Sequence, residues 1–104
     1  MIHHTVLYRF NEAATKKQID DLMAASLELK NDIPGIERVA WGENFSPRAN
    51  GITHAVTFEI RDRAALKVFY EHPAHKLLAQ LSITPIAASL LVIDYEERRS
   101  VGRA

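Results

Sequence analysis

The nine residues IHHTVLYRF, positions 2–10, alternate: Ile2, His4, Val6, Tyr8 and Phe10 fall on one face, and His3, Thr5, Leu7 and Arg9 on the other. A period of two is that of an extended strand. Both faces carry apolar side chains, and this constrains the fold more than any other feature. A chain of 104 residues makes one compact domain. Its helices can cover one face of a sheet, so the second face must find its cover elsewhere.

The rest of the chain supplies those helices. Thr15-Lys-Lys-Gln18 is a Thr-x-x-Gln capping box, in which the threonine and glutamine side chains each satisfy the other's backbone N–H. Apolar residues at helical spacing follow it, predicting a helix over 16–31 that Pro34-Gly35 ends. IERVAWGE (36–43) reads as a strand, NFSPRANG (44–51) as a loop, and ITHAVTFEI (52–60) as a third strand. Asp62 can cap a helix over 63–71. His72-Pro73 breaks it, because a residue before proline avoids the helical region, while proline itself suits the first turn of a new helix. That second piece is expected over 73–81, and AASLLVIDYE (87–96) as a fourth strand. The order β-α-β-β-α-α-β is the α+β, ferredoxin-like arrangement of an antiparallel four-stranded sheet with helices on one face. Residues 1–97 form this single domain, and 98–104 a polar tail. The uncovered face would carry Leu7, Ala55, Leu91 and Ile93. An apolar sheet face of this kind needs a partner, and a homodimer packed sheet to sheet is the economical one.

Composition narrows the partners. Thirteen basic residues balance thirteen acidic ones, which gives no electrostatic reason to expect nucleic acid or an anionic membrane. The chain has no cysteine, so disulfides, thiolate nucleophiles and cysteine-ligated metals are excluded. The N-terminus lacks a basic segment followed by an apolar run, and no apolar stretch is long enough to span a bilayer. A cytoplasmic location is the expectation.

Chemistry, where present, rests on histidine. His72 and His75 flank Pro73-Ala74 at a spacing that two metal ligands can use, but the chain shows no second His pair or acidic cluster to complete a site. As acid-base residues the histidines fit better. His4 and His54 lie on inward faces of neighbouring strands, and His75 starts the helix above them. Imidazole titrates closest to neutral pH of all side chains. His75, His4 and Tyr8 are therefore the candidate catalytic residues, with Tyr70 a second source of a phenol. His54, Val56, Phe58, Phe69, Leu90 and Val92 are the expected lining of an apolar small-molecule pocket. The competing reading is structural: His72 caps a helix, and strand histidines pack in the core.

The elements IHHTVLYRF, IPGIERVAWGENFSP, GITHAVTFEIRD, YEHPAHKLL and LVIDYE, in that order over nearly the whole chain, resemble the stress-responsive A/B barrel (Dabb) domain family. The resemblance implies a dimeric α+β barrel. Plant polyketide cyclases that look similar run a cofactor-free intramolecular aldol condensation, with the second histidine of the HPAH motif as base and a nearby tyrosine assisting. Carried over, His75 is the base, His4 matches the histidine of the first strand, and Thr53-His54 match the third. The chain departs from those cyclases at the tyrosine. Phe69 occupies its position and Tyr70 comes one residue later. One residue is about 100° of helix rotation, so Tyr70 is expected to point away, with Tyr8 as substitute. No organic cofactor is implied. Some members hold magnesium by backbone carbonyls after the first helix, here around Ile33. Two rival functions stand beside the cyclase-like one: a non-catalytic stress-associated binding or structural dimer, and a cofactor-free monooxygenase.

Overall fold

The computed structural model describes residues 1–102; the last two residues of the predicted tail lie outside them. Strand β1 (Ile2–Phe10) is followed by helix α1 (Lys16–Asp32), strands β2 (Ile36–Glu43) and β3 (His54–Ile60), helices α2 (Arg63–Glu71) and α3 (Pro73–Leu78), and strand β4 (Ala87–Glu96). The four strands form one antiparallel sheet in the order β2-β3-β1-β4, the ferredoxin-like topology.

The capping signals act as the sequence suggests. Gln18 N–H donates to Thr15 Oγ1 at 3.1 Å and Thr15 N–H to Gln18 Oε1 at 2.9 Å. Ala65 N–H donates to Asp62 Oδ1 at 2.8 Å and starts α2. Between α1 and β2 the chain turns at Gly35, whose φ is +91°. A Cβ there would lie 2.6 Å from Cβ of Ala65, so glycine serves both the left-handed turn and the close approach of α2.

Two boundaries differ from the sequence reading. Strand β3 begins at His54 rather than at Ile52, because Ile52 and Thr53 close the preceding loop: Asn44 Nδ2 donates to Ile52 O, and Asn44 N–H to Thr53 O. The last helix splits. After α3 the chain widens into a π-helical turn, Ala79–Ile83, where Thr84 N–H and Oγ1 both donate to Ala79 O at 2.9 Å.

The core lies between sheet and helices. Ile2, Val6 and Tyr8 of β1 and Val56, Phe58 and Ile60 of β3 pack against Leu22, Met23 and Leu29 of α1 and Phe69 of α2, all of them buried. The other face stays open, with Leu91, Ile93 and Tyr95 of β4 between 46% and 59% exposed. Among the described residues, no helix is long and apolar enough to cross a membrane.

Candidate active site

Register places three inward side chains on one rung. His4 of β1 pairs with Phe58 of β3 on one side and with Asp94 of β4 on the other. Antiparallel partners on a rung point to the same face, so a carboxylate enters the helix-covered side beside an imidazole. His4 is 2% exposed, and its Nδ1 lies 2.5 Å from Asp94 Oδ1. With Asp94 as the acceptor, Nδ1 carries the proton and Nε2 is left as an acceptor. Burial pulls the His4 pKa below 6.5, and the hydrogen bond and charge of Asp94 oppose that shift without cancelling it.

The end of α2 completes the site. Phe69 points down into the core at 1% exposure, its ring 4.8 Å from that of His4. Tyr70 does not point away as expected. Its hydroxyl donates to Asp94 Oδ2 and sits 3.3 Å from His4 Nδ1. The rotation of about 100° that separates it from Phe69 turns it away from the Phe58 side and toward β4, where Asp94 waits. Burial first, and then the bond and charge of Asp94, raise the Tyr70 pKa, so the phenol keeps its proton at neutral pH.

The break at His72-Pro73 then redirects the chain. His72 Nδ1 accepts from Ala74 N–H at 3.1 Å and caps α3. His75, in the first turn of α3, lies against Phe69 with the rings tilted and their centroids 4.5 Å apart, and meets Tyr70 edge-on at 5.8 Å. Its Nδ1 is buried with no hydrogen-bond partner. Burial lowers the His75 pKa, the charges of His4 and Lys76 lower it further, and the nearby Tyr70 backbone opposes them. The ring is therefore neutral at pH 7.

The remaining predicted residues separate. Tyr8 and His54 share a rung four residues along β1 from His4, roughly 13 Å at about 3.3 Å per residue. Tyr8 stacks on Phe10, and burial pushes its phenol up to about 12. His54 packs between Phe10 and Trp41, its Nδ1 2.8 Å from the Thr53 hydroxyl. Val56, Phe58 and Phe69 are core residues at 3% exposure or less, whereas Leu90 and Val92 are 37% and 44% exposed on an edge strand that the helices only partly cover. A cavity of about 130 Å³ reaches Asp94 from the edge, between Ile2, Arg63, Leu66, Tyr95 and Glu96. That is smaller than the roughly 300 Å³ at which ligand pockets begin.

Asp94 was the residue that motif reasoning passed over. Its signal was present: in LLVID an ionisable side chain follows Leu90 and Val92 on the inward period. Among the described residues, no group of three or more His, Asp and Glu side chains is arranged to hold a metal ion. Around Ile33, the Leu29 carbonyl already accepts from Ile33 N–H and the Gly35 carbonyl from Arg61 N–H.

Residues 2–97 match the Stress responsive A/B Barrel Domain (Dabb). The chain belongs to this family. Within it, this Dabb protein is 24% identical over 100 residues to olivetolic acid cyclase of Cannabis sativa, across 94% of this chain and 98% of that protein. The hydroxynitrile lyase of Passiflora edulis superimposes with a TM-score of 0.88 at 26% identity, covering 97% of this chain and 96% of that one. A Thermobifida fusca structure described as a dimeric ferredoxin-like protein of unknown function shares the fold, with a TM-score of 0.77 at 23% identity over 90% and 88% of the two chains.

Proposed function

We propose that this Dabb protein is a cytoplasmic homodimer that transfers protons on a small carbonyl compound without a cofactor, with His75 as the base. The observation that carries this reading is the buried, unpartnered Nδ1 of His75. An orphaned polar atom in a core costs stability, and a substrate proton is a partner that would satisfy it. The relatives that act as a cyclase and a hydroxynitrile lyase support the same class.

A C–H beside a carbonyl gives its proton to His75, and the C–H electron pair moves onto the carbonyl oxygen. The lowered His75 pKa keeps the base free at neutral pH. Tyr70, protonated and held by Asp94, turns its O–H to the developing oxyanion. Asp94 keeps its hydrogen bond from His4 while Tyr70 is engaged. The enolate carbon can then attack a second carbonyl of the same molecule, as in an aldol closure, and the His75 proton returns to the alkoxide.

Two probes test the class: deuterium exchange at the methyl group of acetophenone in heavy water, followed by proton NMR, and cleavage of mandelonitrile to benzaldehyde and hydrogen cyanide. Wild type accelerates at least one of them, and His75→Gln lowers that rate to the buffer background. A second reading, a non-catalytic binding dimer, is favoured by His72, whose ring serves only to cap α3. Equal rates for the two proteins would select it. The dimer itself is supported by the open apolar face and by relatives described as dimeric.

A further inference from the structure

The open face is not flat. Leu7, Ala55 and Leu91 stand on a single rung, and the segment after β2 arches over them. Asn44, Ser46 and Asn50 of that loop and the three apolar residues enclose a cavity of about 410 Å³, larger than the one beside Asp94. Its floor is hydrocarbon and its rim polar. Between the two rim residues Asn44 and Ser46 sits Phe45, whose side chain is 98% exposed. It lies against nothing in its own chain, while an apolar cavity opens beside it.

The loop that carries Phe45 is held in shape. Ser46 N–H donates to Asn44 Oδ1, Arg48 N–H to Ser46 Oγ, and Ile52 N–H to Ala49 O. Asn50 and Gly51 take the left-handed turn at φ 50° and 84°. Thr53 N–H donates to Tyr8 O and ties the loop to β1. An aromatic side chain presented on a preformed loop loses little freedom when it docks.

We propose that Phe45 of each protomer inserts into the Leu7–Ala55–Leu91 cavity of a second copy, forming the reciprocal lock of the dimer. The proposal rests on the open-face dimer described above. A twofold interface uses the same patch on both copies, so a residue that enters the partner's cavity receives the partner's residue in its own. Area argues for the loop's participation. Four strands about 4.8 Å apart, of nine, eight, seven and ten residues at about 3.3 Å each, give a flat footprint of roughly 540 Å². A standard interface takes about 800 Å² from each partner. Phe45 adds about 200 Å² and extends the contact beyond the sheet. A buried aromatic anchor in a pocket is also where interface energy concentrates.

Sedimentation equilibrium on wild type, Phe45→Ala and Leu91→Arg tests the lock. Both substitutions are at exposed positions and leave the fold intact. Loss of the anchor raises the dimer dissociation constant at least about 30-fold, and Leu91→Arg gives monomer. A photo-crosslinker, p-benzoylphenylalanine at position 45 in unlabelled chain mixed with isotope-labelled wild type, attaches to labelled peptides containing Leu7, Ala55 or Leu91. If Phe45→Ala dimerises like wild type and the crosslinks miss those peptides, while Leu91→Arg is still monomeric, the lock is wrong and the open-face dimer stands. If wild type is monomeric, or Leu91→Arg stays dimeric, the dimer reading fails and the lock with it.

Discussion

His3 and His4 are neighbours in sequence and live in different environments. His3 is on the open face, stacked on Tyr95 at 4.9 Å, with Nε2 2.9 Å from Glu97 Oε1. His4 is on the covered face, buried among Phe58, Phe69 and Tyr70, with Nδ1 2.5 Å from Asp94. Each has a carboxylate partner near the end of the chain. What differs is the imidazole: the two carboxylates are similarly exposed, while the His4 ring is buried more deeply than that of His3. Glu97 also pairs with Arg99 at the surface, where ion pairs are screened and contribute little. Asp94 ties the buried His4 to Tyr70 at the rim of the core, where its loss leaves the His4 N–H stranded. One strand thus separates an open apolar face from a helix-covered face that carries a buried imidazole.

The largest test of that contrast is packing. Phe58→Ala, on the covered face, is expected to lose about 3–5 kcal/mol in urea denaturation. Ile93→Ala, on the open face, is expected to lose about 1 kcal/mol or less from the isolated chain, since its side chain is already half in water. Comparable losses would erase the distinction between the faces. Next come the two carboxylates. Asp94→Ala strands the buried His4 N–H and costs about 1–3 kcal/mol. Glu97→Ala leaves the denaturation midpoint where it was. A Glu97→Ala loss as large as that of Asp94→Ala would mean that the open face is not solvated as described.

The smallest effect is in pH. His4 and His75 both titrate below 6.5 in the folded chain. Between their folded pKa values and 6.5 the unfolded chain binds more protons than the folded one, so stability rises with pH through that window. Their contribution is present above 6.5 and is lost as pH falls below it. Thermal melts are therefore expected to shift down between pH 7 and pH 5. His75→Gln, which removes one of the two groups, should make that shift smaller. A melting temperature that rises on acidification would reverse the sign and place these imidazoles in contact with net negative charge.

Much of this was legible in the residues. The alternation of 2–10 assigned His4 to the covered face and Leu7 to the open one, and Leu91 and Ile93 fell opposite β1 as their period implied. The caps at Thr15 and Asp62 read directly because their bonds are local. Tyr70 did not read. Period says that it lies about 100° from Phe69, but not which strand lies in that direction; β4 does, and this depends on how α2 sits on the sheet. Asp94 was hidden for a related reason, since its meaning comes from a strand 90 positions away. The π-helical turn after α3 has no periodic signature over its five residues, and Ile52 and Thr53 looked like strand until the loop claimed their backbone.

On the covered face, His75 is the proposed base. The most direct measurement is the rate of acetophenone deuteration and of mandelonitrile cleavage near neutral pH by wild type and by His75→Gln, with circular dichroism showing both folded. Wild type is expected to accelerate at least one reaction, and the variant to fall to the buffer rate. A His75→Gln protein as active as wild type, or a wild type that accelerates neither, would contradict it.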